Sequence, residues 1–311
     1  DLNNNSFSEQ FRIGFFFFFL YNKGEFAINA GASTIDRVLN ISNSWSGTID
    51  NYNYSGRSAS IDAFNKYNFS KQVYLVLGAQ YQYFDMTQNT NGVVDVIKEN
   101  AKFNLLDPYA TLVFNSDFGL NINAGARFNT HSEYGSQAVY NFNPSYSFEN
   151  LPLKVLASYS TAFITPSLYQ LYGPYGNLDL TPEENATAEF GFESQLLDKK
   201  LTINAVGFYR EEENTFGFYY NSATFESYYI NIDGTYNAKG VEASVRYSLS
   251  ERFNIGGNYT FTEVEQQLNR LIPKHKGNID LNYSFKRGTF GINYQYVDQR
   301  SDAYYDSNLW A

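Results

Sequence analysis

Apolar and polar residues alternate one by one over long stretches of this chain. Phe118, Leu120, Ile122, Ala124, Ala126 and Phe128 are separated by Gly119, Asn121, Asn123, Gly125 and Arg127. The same rhythm runs through Val241–Leu249, Phe253–Phe261, Ile279–Phe285 and Phe290–Tyr296. Successive side chains of a strand point to opposite faces, so each stretch has one oily and one wet face. Short polar turns at 22–24, 68–72, 115–117, 149–152, 197–200, 249–252 and 286–288 alternate with longer connections rich in Gly and polar residues. Seven short turns predict about fourteen antiparallel strands. They are expected near 8–21, 25–40, 49–67, 72–87, 100–114, 118–133, 137–148, 153–163, 185–196, 201–218, 237–249, 253–266, 274–286 and 289–300.

A soluble sandwich also alternates, and here composition changes the picture. Aromatic residues make up 19% of the chain, with 28 Tyr and 28 Phe, yet mean hydropathy is −0.42. Strands that turn apolar groups to lipid and polar groups to an enclosed lumen combine these two properties. Many of the expected strands exceed the roughly 9–11 residues that cross a bilayer, so they should project beyond it on the long-loop side. No apolar run reaches the roughly 18 residues of a transmembrane helix. The fold class expected is therefore all-β, a transmembrane antiparallel β-barrel occupying 1–311. Cysteine is absent, which is compatible with passage through an oxidising compartment. Net charge is −10 without a basic stripe, so nucleic acid is not an expected partner. The chain opens at Asp1 in a polar stretch with no visible signal peptide, and a processed or partial chain is expected. The run Phe15 to Phe19 puts bulky rings on both faces of one strand, and the sequence alone gives no reason for it.

The stretch 159–191 carries the most specific signal. It contains Ala162-Phe163, Pro166-Ser167-Leu168, Gly176-Asn177, Leu180, Pro182-Glu183 and Glu189-Phe190-Gly191. Further on come Tyr229 and Asn231, Lys239-Gly240-Val241-Glu242, and Gly291-Ile292-Asn293-Tyr294-Gln295-Tyr296. On these motifs the chain resembles TonB-dependent outer-membrane receptors, most closely over 153–305. Within that family, Leu168-Tyr169-Gln170-Leu171-Tyr172-Gly173-Pro174-Tyr175-Gly176-Asn177 is most similar to the cobalamin-receptor branch. The resemblance implies a location in the outer membrane of a Gram-negative bacterium and import of a corrinoid such as vitamin B12. It implies outer-membrane lipid as surroundings, and TonB with its ExbB–ExbD motor as partner, acting through a plug domain. A surface lipoprotein partner stays open. The plug has no counterpart in 1–311, and the chain is expected to supply roughly strands six to nineteen of a twenty-two-stranded barrel. A siderophore- or haem-iron receptor of the same family is the first alternative, and a passive fourteen-stranded channel the second.

Tyr offers a flat face and a hydroxyl at small entropic cost, which suits a large polar ligand. Tyr169, Tyr172 and Tyr175 are therefore candidate substrate-binding residues, with Gly173 and Gly176 permitting tight turns. Their ordinary structural reading is packing of Leu168, Tyr169 and Leu171 over the barrel mouth. The resemblance adds Tyr305, nine residues after Tyr296, and places Arg270 and Lys274 near a ligand-contacting Arg. These have ordinary readings too, as loop aromatic and solvated cations. Pro182-Glu183 is expected to set strand entry. No catalytic constellation is seen, so the chain is not expected to be an enzyme. His131 and His275 are far apart and lack partners at metal-ligand spacing. No cofactor is expected. Asp-rich loops of the EF-hand type are absent, and structural calcium elsewhere in the loops stays open.

Overall fold

The computed structural model describes residues 4–43, 46–265 and 271–300. Among them run β1 (Asn5–Tyr21), β2 (Gly24–Ser42), β3 (Ile49–Asn68), β4 (Val73–Thr90), β5 (Val93–Val96), β6 (Lys102–Asn115), β7 (Leu120–His131) and β8 (Gly135–Ser147). Then follow β9 (Leu153–Ile164), the short helix α1 (Leu168–Tyr172), β10 (Glu183–Leu196), β11 (Leu201–Tyr220), β12 (Ser227–Ser250), β13 (Phe253–Val264), β14 (His275–Phe285) and β15 (Gly288–Val297). All pair antiparallel in one sheet that follows chain order, with β5 attached only to β4. All fourteen expected strands are present. The additions are β5, α1 and a start for β12 ten residues earlier than expected, at Ser227 instead of 237. Among the described residues β1 and β15 do not pair with each other, so the sheet is not closed.

Register assigns every side chain to a face, because directly paired residues share one. Leu77↔Asn65, Tyr81↔Ile61, Leu112↔Ala124 through Leu112 of β6, and Phe190↔Ala157 lie on one side. So do Ile279 and Ile292, at paired or equivalent positions of β14 and β15. This side exposes Leu77, Leu112, Phe190, Ile279 and Ile292 by 46–67%. The other side carries Asp62, Gln80, Asp107, Tyr109, Arg127, Asn141 and Ser160. It is knit by hydrogen bonds. The Tyr109 hydroxyl donates to Asp62 at 2.9 Å, and Arg127 donates to Gln80 at 3.1 Å while lying 3.6 Å from Asp107. Tyr109 can lie flat across β4 because Gly78 is opposite; a Cβ there would stand 2.5 Å from the Tyr109 ring. The oily side faces lipid and the hydrogen-bonded side faces the lumen.

This parity also sorts the phenylalanine run. Phe15, Phe17 and Phe19 pair with Ala30, Ile28 and Phe26 on the lipid side. Phe16 and Phe18 pair with Asn29 and Ala27 on the lumen side, where their rings stack at 5.6 Å.

Candidate functional site

The connection between β9 and β10 folds into a strap across the lumen. Ser167 caps α1 by accepting the Gln170 N–H, and the Gln170 side chain returns to the Ser167 N–H at 2.8 Å. This reciprocal cap lets five residues hold a helical turn that propensity alone would not support. Pro166, Leu168, Leu171 and Leu180 are buried and anchor the strap. Gly176 is needed where the chain doubles back, since a Cβ there would lie 2.4 Å from the Leu171 carbonyl oxygen.

One flank of the strap rests on β3 to β6. Leu168 packs with Val96 and Ala101, and Phe84, Met86, Phe103 and Tyr172 close around them. Rings continue from Phe84 to Phe103 at 5.1 Å, to His131 at 4.6 Å and to Tyr134 at 5.0 Å. The other flank is sewn to β12. The Tyr229 N–H donates to the Tyr175 carbonyl at 3.0 Å, and Asn177 Nδ2 donates to the Tyr229 carbonyl at 2.9 Å. Asn231 Oδ1 accepts the Thr181 N–H at 2.8 Å while its Nδ2 donates to the Thr181 carbonyl at 2.9 Å. Strand β9 is separated from β3 by β8, β7, β6 and β4. A segment leaving β9 that touches both β3 and β12 must cross the concave side of the sheet.

Five rings form a continuous shelf along this crossing. Tyr54 lies 6.3 Å from Tyr169, Tyr169 6.3 Å from Tyr229, Tyr229 5.2 Å from Phe218 and Phe218 5.7 Å from Tyr175. Tyr175 is 48% exposed. Burial, then the neighbouring Tyr54, Tyr229, Tyr175 and Tyr52, push the Tyr169 hydroxyl up to about 12, so it stays a neutral donor at every physiological pH. Tyr134 is likewise pushed up to about 12, chiefly by burial. Glu183 opens β10 and accepts the Phe216 N–H. Its role at strand entry is the one expected.

The candidate residues thus separate. Tyr169 and Tyr175 stand together on the shelf. Tyr172 turns to the opposite flank. Lys274 lies apart, its amine 5.7 Å from the ring of Phe261, which is on the lipid side. Arg270 and Tyr305 lie outside the described residues. Leu168 and Leu171 do pack the strap, in line with the ordinary reading. Tyr54 and Phe218 complete the shelf from strands far away in sequence, and no local motif marked them. The hollow of about 480 Å³ against Ala243, Gly257, Tyr259, Gly277, Ile279 and Tyr294 is on the lipid side and belongs to the bilayer boundary. Among the described residues no group of three or more His, Cys, Asp or Glu is arranged to hold a metal ion.

Comparison with known proteins agrees with this geometry. A family model described as TonB dependent receptor-like, beta-barrel, matches residues 1–310. The chain belongs to the TonB-dependent receptor β-barrel family. Members of this family are outer-membrane transporters and receptors of Gram-negative bacteria, not enzymes. A curated relative, the Vitamin B12 transporter BtuB of Vibrio cholerae serotype O1, is 32% identical over 191 residues, covering 60% of this chain and 30% of the relative. The match therefore spans less than a third of the length of the curated relative. Among solved structures, the copper transporter OprC superposes with a TM-score of 0.79 at 12% identity, over 93% of this chain and 51% of that one. The siderophore receptor PirA from Acinetobacter baumannii gives 0.72 at 15% identity, over 95% and 52%. At these identities the TonB-dependent receptor structures establish the fold alone.

Proposed function

We propose that this barrel segment belongs to a TonB-dependent receptor that imports a corrinoid such as vitamin B12. The ring shelf from Tyr54 to Tyr175 carries the reading. A wide, flat, polar-edged ligand needs several rings in one surface with hydroxyls at the margins, and the strap provides them at the outer mouth. Tyr169 and Tyr175 contact the ligand, Tyr172 holds the strap against β4 and β6, and Arg270 and Tyr305, outside the described residues, are further candidate contacts. Energy comes from TonB and its inner-membrane motor through a plug in the lumen. No chemical step occurs. The corrinoid leads over other cargo because the 32% identical relative is named a vitamin B12 transporter and because 168–177 is similar to that branch. A ferric siderophore or haem is the second reading, and the siderophore receptors with the same fold keep it in view.

Competition binding on the complete receptor separates the two. Vitamin B12 is expected to displace a bound corrinoid, and a panel of ferric chelates is not. Displacement by a ferric chelate alone would end the corrinoid reading. Tyr169→Ala is expected to weaken corrinoid binding about tenfold, the scale of one aromatic contact. A steady ion conductance from the receptor without ligand would favour a passive channel instead.

A further inference from the structure

The ring shelf ends at β2 in a cation. Arg37 stands directly opposite Tyr54 in the β2–β3 register, so their Cβ atoms are about 5 Å apart on the lumen side. The molecule carries a net charge of −10, and its other arginines near the lumen are engaged. Arg127 lies on Asp107, Arg210 on Glu212, and Arg12 reaches the Gln10 side-chain amide at 2.8–2.9 Å. Arg246 shares the lumen side but sits near the short-turn end of β12, away from the mouth. Arg37 is exposed, and among the described residues it forms no ion pair and no hydrogen bond. The nearby carboxylates are held by uncharged donors. Asp95 accepts from Thr90 and Gln88, and Asp50 accepts from Asn43 and Asn91. The Gln88 Oε1 atom, buried beside them, has no partner.

A guanidinium left open at the rim of an aromatic surface recognises an oxyanion through two parallel N–H donors. We infer that Arg37 is the anion-recognising residue of the shelf, and that the cargo carries a localised negative group set beside a broad ring system. For a corrinoid this group is the phosphodiester of the nucleotide loop. The corrinoid form of the inference rests on the function proposed above; the anion subsite does not. The corrin ring lies over Tyr169 and Tyr229 while the phosphodiester reaches the β2–β3 side, so Arg37 discriminates between corrinoids with and without that loop.

The test uses the complete receptor and two probes: cobalamin, and cobinamide, which lacks the nucleotide loop and its phosphodiester. Arg37→Gln is expected to lower cobalamin affinity about ten- to a hundredfold, the range of a hydrogen bond to a charged group, and to leave cobinamide within about twofold. Arg37→Lys is expected to restore part of the cobalamin affinity. Unchanged heat-modifiability of the purified barrel confirms that the variant is folded. Equal loss for both probes, or no loss for either, overturns the assignment. If the wild-type receptor binds neither corrinoid, the corrinoid reading fails, and the same variants are read with a negatively charged ferric tris-catecholate and an uncharged ferric hydroxamate. Loss confined to the catecholate upholds Arg37 as the anion subsite, and uniform behaviour overturns it.

Discussion

Single residues decide how firmly the strap is held. Ser167 caps a helix of only five residues, so Ser167→Ala is expected to cost about 1 kcal/mol and to raise the protease sensitivity of 165–182 in otherwise intact receptor. Leu171 is 5% exposed, and Leu171→Ala is expected to destabilise the strap by about 2–5 kcal/mol, read as faster hydrogen exchange confined to that segment. Tyr169 gives a pH dependence of known sign. Its folded value of about 12 exceeds the ordinary 10.0, so the folded strap holds that proton more tightly than the unfolded one. The stabilisation is complete below pH 10.0 and is lost as pH rises towards about 12. Strap protection should therefore stay level from neutral pH to about 10 and fall above it, and Tyr169→Phe should remove Tyr169's share of the fall. Tyr169 and Tyr175 were legible because they fall in one short Tyr- and Gly-rich stretch. Tyr54, Phe218 and Arg37 were not, since each sits in an ordinary alternating strand and becomes special only when the sheet curves under the strap. The five consecutive Phe were illegible for a related reason. An unbroken apolar run has no phase, and only pairing with β2 sends three rings to lipid and two to the lumen.

At the scale of elements, period-two alternation located the long strands because a half-wet, half-oily surface leaves no other arrangement for those side chains. β5 escaped because four residues, set off from β4 by Asn91 and Gly92, are too few to show a period. The early part of β12 escaped because Tyr228, Tyr229, Ile230 and Ile232 break the alternation. Between the pairs Glu213↔Thr235 and Thr215↔Ile232 the β12 side uses one residue more than the β11 side, with Asn214 at a φ of 55° and Gly234 at 114°, so the phase of β12 shifts there while that of β11 is kept. That bulge turns Tyr229 to the side of Phe218 and Tyr175, as bulges near functional sites do. Asn231 stitches the strap to this shifted part of β12. Asn231→Ala removes its reciprocal bonds with Thr181 and its bond to the Asn214 carbonyl, and is expected to cost about 1–3 kcal/mol. The loss should appear as increased labelling of a cysteine placed at the exposed Asp179, with β-sheet content unchanged.

For the whole molecule, the two faces make opposite demands. Ile279 is 54% exposed at the middle of β14 on the lipid side, and Ile279→Arg is expected to cost about 2–4 kcal/mol of membrane stability. Asn258, on the lumen side of the neighbouring strand, should accept Arg with little effect. Refolding into bilayers at graded urea measures both, and equal costs would contradict the assignment of faces. That assignment was legible in outline from the sequence; which side the strap covers became visible only from its contacts. The strap works as a tie rod in an arch. It fixes the span between β3 and β12, two staves that share no backbone bond. On the proposed function, cargo bound at Tyr169 would load both staves at once, and a signal of occupancy at the cell surface would have a mechanical route into the wall without passing from neighbour to neighbour around the hoop.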